Sequence, residues 1–290
     1  MKPITALALA LALLTPGLVA ACDSKKAGNK QAPTAPAPTA PTGDGLKLPL
    51  AARTVGLRWT KVDDMTSAME ITAGAKKISV TSTRHYRDEL EIVAVDAAGI
   101  VTKLKASYPE RQNSETAAGK QRDKPSALAG KSYVVSSVGG KVEATLADGG
   151  AVSPAELAEL SRDLDELGKP QPMDKIMSSR TWKLGEVYAF TAAELAQLAA
   201  VQDPESPTAT AMSLALREVS ADRAVFDMKS SMATAGKATM AIEMTGSVTV
   251  DTKTGRPMVV DLGGPVTGAV GDMPVSGTMK GTINYTYTAP

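Results

Sequence analysis

The chain has 290 residues, is 43% hydrophobic but only 3% aromatic, and sets 32 Lys and Arg against 31 Asp and Glu. That balance excludes electrostatic capture of nucleic acid or of an anionic surface as the main activity. A single Cys and a single His exclude a disulfide framework and a Cys/His zinc site.

Met1 and Lys2 begin the chain, and an apolar run follows from Ile4 to Leu14. Pro16 and Gly17 end it, and small residues lead to Cys22. This is the layout of a secretory signal peptide, and the run is too short to span a bilayer as a helix. Residues 23–48 are rich in Pro, Ala, Thr, Lys and Gly and show no apolar periodicity. Such a segment buries too little surface to offset its ordering entropy and favours extended polyproline II.

Val19-Ala20-Ala21-Cys22 resembles the lipobox of bacterial lipoproteins. The resemblance implies cleavage before Cys22, a diacylglycerol thioether on its sulfur and an acyl chain such as palmitate on its new amine. Each buried CH₂ of such chains contributes about 0.8 kcal/mol, so two or three chains anchor permanently. The organisation this implies is a leader over 1–21, a lipidated Cys22 and tether over 22–48, and one domain over 49–290. The domain would face the periplasm or the exterior of a bacterial cell envelope, with the choice of membrane open. No other cofactor is expected.

From residue 49 the apolar pattern has period two. Ile100, Thr102, Leu104, Ala106 and Tyr108 share one side of a strand after the turn Asp96–Gly99. Residues 109–130 carry no readable pattern, and a turn at Val138–Lys141 marks a hairpin beyond them. Two helices are then announced by capping boxes, Ser153-Pro154-Ala155-Glu156 and Thr191-Ala192-Ala193-Glu194. The first places Leu157, Leu160, Leu164 and Leu167 on one stripe and ends near Gly168; the second uses Leu195 and Leu198 and stops before Pro204. Met173, Ile176 and Met177 form a further short turn between them.

The last third alternates most strictly. Met212, Leu214 and Leu216 share a side, as do Ala224, Phe226, Met228 and Met232. Over 238–251 and 273–288 the alternation is unbroken, which predicts two long half-buried strands. Gly246, Gly277 and Gly281 lie on their apolar sides as bend points. Short turns between neighbours make the sheet antiparallel. The fold class predicted is mainly β with minor α: a curved antiparallel meander, a half-barrel or open barrel-like sheet, with two short covering helices. Segments 56–59, 90–108 and 130–150 echo 185–188, 212–232 and 246–264, as an internal duplication or as the common look of meanders.

Long curved strands with one or two helices resemble the half-barrel lipoproteins of the bacterial envelope. That group includes the outer-membrane lipoprotein carrier and related mycobacterial lipid-binding lipoproteins. The resemblance is architectural and implies an apolar concavity for acyl chains.

No nucleophile elbow or Ser-x-x-Lys pair occurs. His85 reads as a polar position on the solvent face of a strand. The carboxylate groups Asp63-Asp64, Asp88-Glu89-Glu91 and Asp163-Asp165-Glu166 lack the spacing of a calcium loop. No metal ligand set and no catalytic residue is assigned, so a non-enzymatic protein is expected. The methionines stand out: Met65/Met69, Met173/Met177, Met228/Met232 and Met240/Met244 are spaced i,i+4. They read as plain core, as an adaptable apolar ligand surface, or as Cu(I) ligands. The ligand-binding residues predicted are Met212, Phe226, Met228, Met232, Met240, Met244 and Met279. The expected function is binding or carriage of an apolar or amphiphilic ligand by a membrane-anchored lipoprotein, with envelope proteins as further partners. The alternatives are a solid-core scaffold lipoprotein and, less favoured, Cu(I) handling.

Overall fold

A computed structural model describes residues 45–199, 208–234 and 238–290. The leader, Cys22 and most of the tether lie outside the described residues. A short strand β1 (Leu46–Lys47) comes first. Then follow β2 (Arg58–Ala73), β3 (Lys76–Val95), β4 (Val101–Ala117), β5 (Lys120–Asp123), β6 (Lys131–Val138) and β7 (Lys141–Leu146). Three helices, α1 (Pro154–Asp163), α2 (Pro172–Ser179) and α3 (Ala192–Ala199), surround β8 (Thr181–Trp182) and β9 (Val187–Ala189). Five long strands close the chain: β10 (Thr208–Val219), β11 (Arg223–Thr234), β12 (Ala238–Asp251), β13 (Pro257–Val270) and β14 (Met273–Thr288).

All but β1 and β8 belong to one antiparallel sheet, ordered β7-β6-β4-β3-β2-β14-β13-β12-β11-β10-β9, with β5 paired to β4. The sheet is open and mainly β, as the alternation predicts, and β12 and β14 keep the predicted bounds. The first long strand and the last meet at its centre, where Lys61 pairs with Tyr285 and Arg58 with Thr288. On either side, β2-β3-β4-β6-β7 and β9-β10-β11-β12-β13 run in the same order along the sheet, head to tail, with β14 between them.

The curl has a local cause in the glycines of the inner face. A Cβ on Gly246 or Gly264 would lie 1.8 or 1.7 Å from the carbonyl oxygen of Asp261 or Glu243 on the neighbouring strand. Gly268 and Gly277 are equally tight, at 2.1 Å from Thr239 O and Ala68 O. Only a residue without a side chain lets the strands approach and bend so closely.

Two apolar clusters lie on this face. The larger joins Met65, Met69 and Ile71 of β2 to the inner residues of β10–β14, and Ile176, Met177, Leu195 and Leu198 of α2 and α3 pack on it. The smaller joins Leu90, Ile92, Leu104, Ala106, Tyr108, Tyr133 and Val135 beneath Leu160 and Leu167.

Several details differ from the sequence reading. Three helices form among the described residues instead of two. The helix at 153–167 ends at Asp163, and it covers the smaller cluster rather than the methionine face. Leu157 is exposed, since this ten-residue helix turns Leu160 and not Leu157 fully toward the sheet. Both capping boxes form: Ser153 N donates to Glu156 Oε2 at 2.7 Å, and Thr191 N to Glu194 Oε2 at 2.8 Å. Leu46 pairs with Trp182 and Leu48 is buried in the larger cluster, so residues just before 49 also pack with the domain. The unread stretch 109–130 holds the second half of β4 and all of β5.

Gly264→Ala is expected to destabilise the domain by about 3 kcal/mol, because the strand pair cannot separate without losing its ladder. Equilibrium urea unfolding measures this. Gly264→Ala with an unchanged midpoint would show that the approach is not tight.

Candidate functional site

The methionines segregate. Of the 13, Met1 lies outside the described residues and Met258 is on the surface. The other eleven all belong to the larger cluster, and the smaller cluster contains none. Every predicted ligand residue falls there: Phe226, Met228, Met240, Met244 and Met279 are buried, Met212 and Met232 half-buried at its margin. Strand register explains the grouping. Met228 faces Gly246, Met240 faces Gly268 and Met279 faces Gly264 across the ladders. Each thioether therefore has a bare backbone opposite it. The sulfurs of Met240 and Met69 lie 2.8 Å from where a Cβ of Gly268 or Gly277 would stand. A flexible side chain laid over a glycine fills the space but is not locked there.

The cover over this cluster is light. α3 buries none of its residues fully, and Leu195 and Leu198 are half-buried. It is held by polar contacts at its start, where Tyr188 Oη donates to Glu194 at 2.6 Å. An aromatic group stands beside it: Trp182 meets Phe226 edge-on at 4.9 Å, and the Arg180 guanidinium lies 3.3 Å from the Tyr188 ring centre.

A charged seam separates the two clusters, and sequence reading missed it. Its source is a bulge. Arg87 pairs with Glu110 but Glu89 with Ser107, so Tyr108 and Pro109 together oppose Asp88. Proline has no N–H to give the ladder and is at home in such a bulge. The extra residue shifts the alternation of β4, so Tyr108 and Arg111 both point inward and are buried. Arg111 then donates to Asp88 at 2.8 Å and pairs with Asp163 of α1. Its carboxylate neighbours hold the guanidinium charged, outweighing the burial that opposes it. Burial is the main cause pushing the Asp88 carboxyl above the usual range. Asp63 and Arg84 are buried beside this group, joined from Arg84 Nη2 to Asp63 Oδ2 at 2.7 Å. Asp63 Oδ1 and Arg84 Nε are buried without a hydrogen-bond partner.

The opposite face of the same strands is wet. A cleft of about 730 Å³ is bounded by β2–β5, and its lining includes Asp64, Thr83, His85, Gln112 and Lys280 together with Met65, Arg84 and Arg111. His85 Nδ1 lies 2.5 Å from Asp64 Oδ1, and its Nε2 lies 3.4 Å from Glu110. No cluster of three or more His, Cys, Asp or Glu fit for a metal occurs among the described residues.

The chain is thus an open, curled antiparallel sheet whose inner face carries a methionine-rich apolar cluster and a charged seam. No known protein family and no curated protein matches it. Among solved structures, one of lipovitellin concerned with lipid–protein interactions has a TM-score of 0.43 at 5% identity. The match covers 82% of this chain and 26% of that one, so the chain spans about a quarter of that protein. At that level of similarity neither a shared fold nor a shared ligand follows. No described helix is long and apolar enough to cross a membrane.

The hydrogen bond to Asp64 is the main cause raising the His85 pKa above its ordinary value of 6.5. The stabilisation it gives is therefore present below the unfolded value and is lost as pH rises through the folded one. With a single imidazole in the chain, one NMR titration reads it directly. Its midpoint should lie above 6.5 and fall in Asp64→Asn; an unshifted midpoint in the unaltered protein would refute the ion pair.

Proposed function

We propose that this chain is a lipid-anchored protein of the bacterial envelope that takes up an apolar or amphiphilic ligand in its methionine-lined chamber. The observation that carries this is the segregation of eleven methionines into one of two clusters of the same sheet. A composition that merely used Met for Phe would place it in both. Concentrated on one face, unbranched and polarizable side chains form a surface that repacks around varied apolar shapes. The glycines opposite them make the floor beneath the thioethers bare main chain, with no side chain to interlock with. α3, half-buried and fixed mainly through Tyr188 and Glu194, is the cover that would open. No acid–base or nucleophilic role is assigned to any residue.

The anchor in this reading rests on the pattern Val19-Ala20-Ala21-Cys22 and the leader before it. Two or three acyl chains on Cys22 would hold the protein to the membrane, and the Pro-rich tether would let the sheet stand clear of it.

The first test is native mass spectrometry of the full chain purified from membranes, with organic extraction of what travels with it. An apolar or amphiphilic molecule at fixed stoichiometry is the expected result. A clean apo mass would shift the reading to a solid-core scaffold with protein partners. For the anchor, Cys22→Ser should abolish incorporation of labelled palmitate and release the protein from the membrane fraction. Palmitate labelling that survives this substitution would place the acyl chain elsewhere.

A further inference from the structure

We propose that Asp63 and Arg84 form a head-group site at the edge of the chamber, and that the group it receives is an uncharged hydroxyl. The inference rests on the chamber reading given above and names the ligand class: a long-chain alcohol or hydroxyl-headed acyl lipid.

The pair is joined by one prong. Arg84 offers Nη2 to Asp63 Oδ2, and the adjacent Nε–H donor and Oδ1 acceptor remain unpaired. Both side chains are almost wholly buried, with 6% and 2% of their surface exposed. Buried polar atoms are nearly always partnered, because water is not there to satisfy them. An arginine and a carboxylate free to choose would close the two-pronged fork. Here one donor and one acceptor are left together.

Their place in the sheet connects them to the chamber. Arg84 is the direct cross-strand partner of Met65, a member of the methionine cluster. Asp63 is two residues along the same face of β2. Continuing the β2–β14 pairing by one step on that face sets Ile283, also in the cluster, opposite Asp63. A ligand whose chain lies among the methionines can therefore present its head to this pair.

Charge chooses the head. The Arg111 guanidinium is held by Asp88 and Asp163, Arg84 by Asp63, and Lys61 lies 3.8 Å from the same Asp63 oxygen, so three cations face three carboxylates and no positive charge is left over for an anion. A carboxylate or phosphate would meet the Asp63 charge, and an ammonium would meet Arg84. A hydroxyl accepts from Nε and donates to Oδ1 in one contact. It does so without adding charge to a seam that is already paired.

The test is a competition read by native mass spectrometry on the full chain in lipid nanodiscs. The probes are hexadecane, 1-hexadecanol and hexadecanoate, which share one chain length. The expected result is 1-hexadecanol bound about tenfold better than hexadecane, the worth of roughly one hydrogen bond to a charged group. Hexadecanoate should not exceed hexadecane. Asp63→Leu combined with Arg84→Met removes both charges at similar volume, a replacement that buried pairs often tolerate. It should bind hexadecane unchanged and lose the preference for the alcohol. Equal uptake of all three probes by the unaltered protein, as when a water satisfies the pair, overturns the head-group site and leaves the chamber standing. So does an alcohol preference that survives the double substitution. A preference for hexadecanoate overturns the uncharged head. Uptake of none of the three overturns the chamber reading, and this inference with it. Should the double variant fail to fold, the ranking of the probes by the unaltered protein decides.

Discussion

The architecture depends on side chains that are missing. At Gly246, Gly264, Gly268 and Gly277 a single methyl group would collide with a carbonyl of the next strand. With these residues in place, β2, β14, β13 and β12 bend far enough for one face to fold toward itself. Glycine weakens a strand, both by entropy and by leaving nothing to pack. The sheet offsets that loss by placing a methionine opposite three of the four in the ladder and the Met69 thioether against the fourth. The result is a floor of backbone overlaid by long flexible side chains. Curvature and an adaptable interior are therefore one feature of the sequence and not two.

The seam sets the limit of that interior. Buried ion pairs contribute little net stability, since desolvation consumes most of the attraction, but breaking one leaves a costly orphan charge. The Arg111–Asp88–Asp163 group ties β3 and β4 to α1 and so locates that helix over the smaller cluster. Tyr86 lies 4.3 Å from the Arg111 guanidinium and 5.1 Å from that of Arg84, bridging the two charged pairs. A wall of this kind divides the inner face into a rigid Leu, Ile and Tyr core on one side and a methionine core on the other.

Much of this was legible in the sequence, and the misses have definite causes. The alternation over 238–251 and 273–288 is uninterrupted, so the bounds of β12 and β14 follow from it directly. The same period places the predicted methionines on one face. The alternation of β4 breaks at Pro109, so residues 109–130 show no readable pattern and the burial of Arg111 goes unseen. Asp63-Asp64 reads only as a carboxylate pair without the spacing of a calcium loop, yet strand alternation sends Asp63 inward to Arg84 and Asp64 outward to His85. Neighbouring charges on a strand occupy opposite faces, and nothing in composition says which one has a buried partner. Helix periodicity finds the apolar stripe of α1 but not the cluster it will cover, because that choice is made by Asp163 and Glu159 at the seam.

The two five-strand runs share an order along the sheet but not a chemistry. The run from β2 to β7 closes its core with Tyr108 and Tyr133, a firmly capped α1 and buried ion pairs, all groups with narrow geometric tolerance. The run from β9 to β13, with β14 and the second half of β2, uses methionine over glycine beneath a half-buried helix. Equivalent scaffolds under one stability requirement have no reason to differ so sharply in how tightly they are filled. The difference is explained if one side holds the sheet in shape while the other has to change its packing. On that argument the methionine side, under its half-buried helix, is where the proposed ligand would bind, with the seam as the fixed edge for its head.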